Sequence, residues 1–503
     1  MRSLARDALV MALATAISRV FGLFRDVTIA DKFGASGAYD AFLIAFFLPV
    51  FLRQLLAEGA LSTALIPVYT KSLVDDNDAD RFASNVLSLL LVIFPFIVGA
   101  GILLAPIYLP FLASGFDPEK LALSISLSRI VFPFIAFVGL AAAFMGILNA
   151  HHRFFAPSLA PVWFNIGMIV GTLFFSTLFP AHPIYGLALG ALLGGAGQLA
   201  SQIPSLRRIG FRFQFMLWPL HPGVRKMAYL MLPAVFALAV TQINLLVDNK
   251  LASHLGDGGI SSLQYAMRLF QLPLGIFAVS IASALLPRFS ASLARGEKGR
   301  FSSYFSDGIS ASALILLPAM AGLYAIGPNV IHLLFQHGNF SAGDTSRTWL
   351  ALSFYLVGVL PYGLVFILTR AYYALGRTRF PLIASACAVA ANIVCDIMLV
   401  TPMRVGGLAL ATSIAGVVNV AILSLFLRHE LPSLANIGPR LLRITLGTGI
   451  VYLVALETRL AASGEWMSVI LPIIAATTTY AVFVRVSGLW QLLRPKGQQD
   501  QRV

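Results

Sequence analysis

Ionisable side chains inside long apolar stretches are the residues of this sequence that could do chemistry. They are Arg19, Arg25, Asp26, Asp40, Arg53, Glu58, Arg268 and Arg370. An ionisable group at the centre of a bilayer costs about 2.5–3.5 kcal/mol on insertion scales, so each needs a partner, water or a function. A guanidinium group can bind two phosphate oxygens at once, which predicts a water-filled cavity lined with arginines that receives an anionic substrate. The alternative is that these residues form buried ion pairs that fix helix packing, or that the arginines extend to a membrane interface.

A second group of polar residues has the chemistry of a small-cation site. Asn392 and Asp396 are four residues apart in one predicted helix, so their side chains face the same way. Asp248 and Thr412 lie in two other predicted helices. Carboxylate, amide and hydroxyl oxygens are hard ligands, so the group predicts a Na⁺ or H⁺ site if the three helices pack together. The alternative is a hydrogen-bonded cluster that holds no ion.

Catalytic chemistry is not indicated. The sequence contains no H-E-x-x-H, Walker A or G-x-S-x-G motif, so we expect no catalytic residue and no direct use of ATP. The pair His151-His152 lies at a predicted helix end and is interpreted as an interfacial patch. Apart from Na⁺ as a candidate coupling ion, no cofactor is expected.

The elements that position these residues must cross a membrane. Of the 503 residues, 58% are hydrophobic and only 11% are charged, whereas soluble proteins carry roughly 25% charged residues. Apolar runs of about twenty residues, the length that crosses a bilayer, recur along the chain. We therefore expect an all-α, polytopic membrane protein with about 14 transmembrane helices. The predicted spans are 6–32, 40–66, 83–113, 122–149, 158–179, 183–203, 227–254, 262–287, 303–327, 346–375, 380–400, 406–427, 441–459 and 467–487.

The distribution of basic residues predicts the orientation. The formal net charge is +14, but Lys and Arg lie mostly in alternate loops, where they set topology, so nucleic acid is not expected as a partner. The loops near 34–39, 180–182, 255–261 and 328–345 contain no Lys or Arg. The positive-inside rule therefore places both termini in the cytoplasm, which agrees with an even number of spans.

Internal similarity predicts two related halves. The pattern D-x3-A-x3-G at 26–34 recurs at 248–256, and A-x2-R-x3-P at 150–157 recurs at 374–381. Six predicted spans precede the second copy, so the halves would have the same orientation; the alternative is coincidence in a sequence rich in Ala and Gly. The predicted division is an N-terminal six-helix half at 1–203, a cytoplasmic linker at 204–226, a C-terminal six-helix half at 227–428, two added helices at 441–487 and a cytoplasmic tail at 488–503.

Motifs in the first two predicted spans resemble a known family. They are S-R-x-x-G-x-x-R-D at 18–26, D-A-F at 40–42, L-P-x-x-x-R at 48–53 and A-E-G-A-x-x-x-A-x-x-P at 57–67. This series is similar to the opening signature of the MurJ/MviN lipid II flippases of the multidrug/oligosaccharidyl-lipid/polysaccharide exporter superfamily. The segment YAMRLFQLPLG at 265–275 is similar to the family's second-half motif, and about fourteen spans also match.

The resemblance implies a transporter of the bacterial cytoplasmic (inner) membrane. Its substrate would be lipid II, the undecaprenyl-diphosphate-linked peptidoglycan precursor, moved from the cytoplasmic to the periplasmic leaflet by alternating access and driven by an ion gradient or the membrane potential. The arginines and acids named above would bind it, the two added helices would hold its lipid tail, and Asp248, Asn392, Asp396 and Thr412 match the ligand types of a family Na⁺ site. Other cell-wall synthesis proteins become candidate partners. The alternatives are another exporter of the superfamily, for polysaccharide-lipids or drugs, and a membrane glycosyltransferase.

Overall fold

The structure is a computed structural model that describes residues 2–55, 61–75, 78–427 and 437–493. The secondary structure of these residues is helical, with no strand among them, and most connections between helices are short, apart from the non-helical residues 209–221. The predicted all-α class is therefore confirmed. Glu58, Arg428 and the last ten residues of the predicted tail lie outside the described residues.

The α-helices are long, as apolar runs bounded by Gly, Pro and charged residues predict. In chain order they are α1 (Arg2–Phe33), α2 (Gly37–Arg53), α3 (Ser62–Asp75), α4 (Ala79–Leu112), α5 (Pro118–Val131), α6 (Phe134–Ala150), α7 (Phe155–Leu173), α8 (Ile184–Ala200), α9 (Ile203–Arg208), α10 (Pro222–Ala252), α11 (Gly259–Pro273), α12 (Val279–Ala294), α13 (Lys298–Phe335), α14 (Ala342–Val357), α15 (Val359–Ala374), α16 (Arg379–Met403), α17 (Val405–Leu427), α18 (Ile437–Ala461) and α19 (Met467–Val486).

Membrane spans account for most of these helices. Within the described residues, 10 helices are long and apolar enough to cross a bilayer. The number of spans is 11 if α14 and α15, which meet at a 42° bend, are counted together as one span. Each coincides with a predicted span. The other three predicted spans fall on α1, on α2 with α3, and on α10. Some side chains or residues in these three regions lie outside the described part of the chain, and α1 also carries the charged residues of the candidate site.

The chain divides into two compact units. The first unit comprises Met1–Ser261 and His337–Ser341. In it α1 packs on α7, α7 on α8, and α2 on α5. The short segment His337–Ser341 is attached to the end of α1, because Asn339 donates from its backbone N to the Asp31 carbonyl at 2.8 Å and from Nδ2 to the Lys32 carbonyl at 2.7 Å.

Glycines allow a close contact between two helices of the first unit. Gly167 and Gly171 of α7 lie four residues apart and face Gly186, Gly190 and Gly194 of α8. A Cβ at Gly171 would stand 2.6 Å from the Gly186 carbonyl oxygen, closer than real Cβ atoms approach. Small residues spaced by four let membrane helices approach closely and gain van der Waals contact, so these glycines set the distance between α7 and α8.

The second unit comprises Ser262–Gln336 and Ala342–Val503. Its long helix α13 packs on α18, and α16 packs on α17. The last two helices are joined to α13 by apolar contacts and by a hydrogen bond of 2.8 Å from the Tyr480 hydroxyl to the Leu314 carbonyl. The five-part division predicted from the sequence concerns repeats and membrane topology, and it stays a prediction.

Candidate functional site

Arg25 of α1 is buried and makes hydrogen bonds with two side chains. It is 8% exposed. Its Nη2 and Nε donate to Asp26 Oδ1 at 2.6 and 3.0 Å, and its Nη1 donates to Asn165 Oδ1 on α7 at 3.0 Å. The guanidinium also lies 5.8 Å from the centre of the Phe164 ring. These contacts hold the guanidinium in one orientation.

Asn165 was not among the predicted site residues. Its Nδ2 donates to the Ser18 carbonyl at 3.1 Å, so the amide of α7 bridges two points on α1. Gly22 provides the space, because a Cβ there would already lie 3.8 Å from the Asn165 Nδ2 atom. The sequence did contain a signal, since Asn165-Ile166 recurs as Asn392-Ile393 in the predicted second half.

The other predicted residues of the first unit lie in different surroundings. Arg19 is exposed on α1, and Arg53 is half-buried in the last turn of α2. Glu58, the predicted acidic neighbour of Arg53, lies outside the described residues. The structure therefore joins Arg25 to Asp26 and Asn165, and the contribution of Arg19, Arg53 and Glu58 stays a prediction.

Asp40 is completely buried in the first turn of α2 and is bound by three donors. Lys120 Nζ donates to its Oδ2 at 3.1 Å. The backbone N–H groups of Gly258 and Ser261 donate to Oδ2 and Oδ1, each at 2.8 Å. Lys120, the first-turn lysine of α5, was missed by the sequence analysis. The available signal was a lysine beside a predicted span on the side of the membrane where basic residues are few.

Two predicted arginines belong to the second unit. Arg268 is half-buried on α11, two residues before Phe270, whose ring packs against those of Tyr355 and Tyr362. Arg370 is half-buried on α15, with its guanidinium 6.0 Å from the centre of the Tyr373 ring. The Arg370 guanidinium thus lies beside an aromatic ring, which suits such a group in an apolar environment.

The predicted ion ligands of the second unit are buried. Asn392 and Asp396 are 1% and 0% exposed, and the Asn392 amide donates to Asp396 Oδ2. Thr412 is buried on α17, the helix that packs on α16. The predicted common face of Asn392 and Asp396 is confirmed by this hydrogen bond.

Asp248 belongs to the first unit and repeats the same local arrangement. Asn244 Nδ2 donates to Asp248 Oδ2 at 3.2 Å, so both acids of the predicted ion set accept a hydrogen bond from an asparagine four residues earlier on the same helix. The described residues contain no group of three or more His, Cys, Asp and Glu side chains that could hold a metal ion.

Comparison with known proteins shows which family the chain resembles. The profile of the family described as "Lipid II flippase MurJ" matches residues 29–483. A probable lipid II flippase MurJ of Thermotoga maritima is 32% identical over 492 residues, which cover 97% of this chain and 98% of that protein. A solved structure of a lipid II flippase MurJ in an inward closed conformation superposes with a TM-score of 0.83 at 30% identity, covering 97% of this chain and 100% of that one.

A more distant structure shares the fold alone. An inward-facing multidrug resistance MATE family transporter of the MOP superfamily superposes with a TM-score of 0.71 at 17% identity, covering 86% of this chain and 99% of that chain. The apolar spans and the family match together identify a multi-pass membrane protein of the bacterial inner membrane, and its class is a transporter rather than an enzyme. Within that class, the chain belongs to the lipid II flippase MurJ family.

Proposed function

We propose that this chain is a lipid II flippase, which moves the undecaprenyl-diphosphate-linked peptidoglycan precursor from the cytoplasmic to the periplasmic leaflet. The observation that carries the proposal is the family match over residues 29–483. The buried and oriented guanidinium of Arg25 supports it, because a diphosphate needs a cation that can bind oxygens bidentately. The direction of transport is the one that the resemblance of the sequence to the family implies.

The substrate-binding residues would have separate roles. Arg25 would bind the diphosphate, with Asp26 and Asn165 holding its guanidinium in place. The remaining cations would attract the anionic head during alternating access. They are Arg19, Arg53, Arg268 and Arg370. Asp40 and Glu58 would act as acidic partners of these arginines. Helices α18 and α19 would hold the polyprenyl tail in lipid.

An ion would supply the energy. We propose that Na⁺ binds at Asn392, Asp396 and Thr412, because these residues offer hard oxygen ligands and an asparagine already orients Asp396. Asp248, which an asparagine orients in the same way, remains the fourth ligand predicted from the sequence. Ion binding changes the balance of two conformations only if the ion binds one of them more tightly. The gradient of the ion or the membrane potential would then drive the change between inward-open and outward-open states.

The topology and partners complete the proposal. Both termini would lie in the cytoplasm, with the linker at 204–226 joining two six-helix halves on that side. Lipid II would be the principal partner within the membrane. Other proteins of cell-wall synthesis, which make or consume lipid II, would be further partners.

The experiment uses the purified full chain in proteoliposomes loaded with fluorescent lipid II. Chemical quenching from outside measures how much lipid II lies in the outer leaflet over time. We expect the protein to accelerate equilibration, or to accumulate lipid II in one leaflet when a Na⁺ gradient is applied. Equilibration no faster than in protein-free liposomes would overturn the proposal. Drug or polysaccharide-lipid transport without lipid II transport would favour another exporter, and a glycan polymer would favour a glycosyltransferase.

A further inference from the structure

The connection between α9 and α10 exposes apolar side chains to an unusual degree. Residues 209–221 form no helix. Its exposed apolar residues, here called the linker stripe, are Phe213, Phe215, Leu217, Trp218 and Leu220. Trp218 has the largest exposed fraction of the five, at 84%. A soluble surface rarely presents such a run of large apolar side chains, so the stripe requires an apolar or interfacial environment.

The backbone of this connection is held against α4. Ser84 and Ser88 accept hydrogen bonds from the N–H groups of Gln214 and Met216, at 3.2 and 2.9 Å. Asn85 donates to the Met216 carbonyl at 2.8 Å and accepts from the His221 N–H at 2.7 Å. Backbone polar groups that meet lipid must be satisfied within the protein. The linker can therefore lie at the membrane boundary without leaving these groups unpaired.

The position along α4 matches the headgroup region. A helix of 34 residues is about 51 Å long, whereas the hydrocarbon core is about 30 Å thick. Ser84 and Ser88 lie within roughly the first 14 Å of α4, so the linker meets the helix near its end and not at the bilayer centre. Tryptophan is enriched at this depth because its ring is amphipathic.

The charge around the linker has a single sign. From Ile203 to Leu232 the chain contains no Asp or Glu. It contains five basic residues, all exposed, and they are Arg207, Arg208, Arg212, Arg225 and Lys226. Basic residues next to exposed aromatic side chains at a membrane interface attract anionic lipid headgroups.

A groove on the first turns of α10 supplies the shape. It has a volume of about 550 Å³ and is open to the outside. Its lining residues are Pro222, Arg225, Lys226, Ala228, Tyr229 and Leu232. Arg225, Tyr229 and Leu232 follow one another along one helix face, since they are spaced by four and three residues. Along this face the side chains change from cationic to aromatic to aliphatic. A phospholipid changes from polar to apolar in the same direction, from its phosphate to its acyl chain.

We propose that the linker stripe and the α10 groove together bind an anionic phospholipid of the leaflet that they face. The lipid phosphate would contact Arg225 and Lys226, the acyl chain would follow Tyr229 and Leu232, and Trp218 would enter the headgroup region. The site shares no residue with the predicted substrate site and does not depend on which lipid-linked substrate the protein moves. Through this site, the lipid composition of the membrane would affect the connection between α9 and α10.

The first test measures the depth and lipid contact of Trp218. The full chain is placed in nanodiscs that contain phosphatidylglycerol or phosphatidylcholine brominated at the same acyl position, and tryptophan fluorescence is recorded. The Trp218→Phe protein gives the signal of the other four tryptophans, and the difference isolates Trp218. We expect brominated phosphatidylglycerol to quench this difference signal at least twofold more than brominated phosphatidylcholine. No quenching by either lipid would overturn the proposal and would point to a protein partner on the stripe.

The second test measures affinity for phosphatidylglycerol by native mass spectrometry of the intact protein. We compare the double variant Arg225→Gln, Lys226→Gln with a matched double variant, Arg295→Gln, Lys298→Gln, which removes two exposed charges from another predicted cytoplasmic loop. A basic residue near an anionic surface contributes about fivefold in affinity, so we expect roughly twenty-five-fold weaker binding in the first variant only. Equal losses in both variants, or competition by inorganic phosphate at the same concentration as the lipid, would contradict a lipid site.

Discussion

Lys120 Nζ lies 3.1 Å from Asp40 Oδ2 and 2.9 Å from Asp257 Oδ1, so one ammonium group links two carboxylates. The two acids differ in environment, because the Asp40 side chain is 0% exposed and the Asp257 side chain is 71% exposed. Lys120 itself is 8% exposed and lies 4.1 Å from the centre of the Phe116 ring. The same donor therefore takes part in a buried and a surface ion pair.

This difference predicts very different effects for the two acids. Removing Lys120 with Lys120→Met leaves the buried Asp40 charge with backbone donors only, and breaking a buried pair costs about 3–5 kcal/mol. Asp257→Asn should cost about 0–1 kcal/mol, as for a surface pair. Thermal unfolding of the purified chain in one detergent measures both. A double variant, Lys120→Met with Asp40→Asn, should recover part of the stability, and equal effects of Lys120→Met and Asp257→Asn would contradict the assignment.

The contact of Arg25 with Asn165 predicts a positioning role for the amide. Asn165→Ala removes the acceptor of Arg25 Nη1 but leaves the Asp26 pair, so we expect lipid II transport to fall about tenfold, an effect of about 1.4 kcal/mol. Arg25→Lys should lose more, because an ammonium cannot bind two oxygens in the guanidinium geometry. The assay is the rate of lipid II equilibration across proteoliposomes, measured against substrate concentration.

A control for this prediction is Arg129→Ala, which removes an exposed arginine of the same unit. It should transport at the rate of the unmodified protein. If Asn165→Ala were as active as this control while Arg25→Ala was inactive, the amide would be a packing residue and would not position the guanidinium.

The sequence predicts the membrane spans well, because the length of an apolar run can be seen in each helix by itself. A run such as 379–403 shows its span without reference to any neighbour. The partners of the buried charges could not be predicted in this way. Asn165 and Lys120 meet Arg25 and Asp40 from positions 140 and 80 residues away, and one sequence contains no information on which helices adjoin.

Local pairs within a helix were easier to predict than contacts between helices. The common face of Asn392 and Asp396 follows from helical geometry alone, and the structure confirms it with a hydrogen bond. The equivalent pair of Asn244 and Asp248 was open to the same argument, since their spacing is also four. It was missed because only the acid was considered as a ligand.

The buried pair of Asn392 and Asp396 predicts stabilisation by Na⁺. A ligand that binds the folded state at ten times its dissociation constant adds about 1.4 kcal/mol to the free energy of unfolding. We therefore expect NaCl, but not KCl at equal ionic strength, to raise the unfolding temperature of the purified protein. Asp396→Asn should remove this difference. Glu457→Gln, which changes an exposed acid on α18, is the control and should retain it. A Na⁺ effect of equal size in Asp396→Asn would place the ion elsewhere.

The glycine contact between α7 and α8 predicts that added volume is not tolerated there. A Cβ at Gly190 would lie 2.5 Å from the Gly167 carbonyl oxygen and 2.7 Å from the Gly171 Cα, both backbone atoms that cannot turn aside. Overpacking of this kind costs about 1–3 kcal/mol, so Gly190→Ala should lower the unfolding temperature. Gly99→Ala is the matched control, because a Cβ at Gly99 meets nothing within 4 Å. Alanine favours a helix over glycine by up to about 1 kcal/mol, so the control should be neutral or more stable. Equal stability of the two variants would show that α7 and α8 can separate without loss, and would remove the glycines as the cause of their close approach.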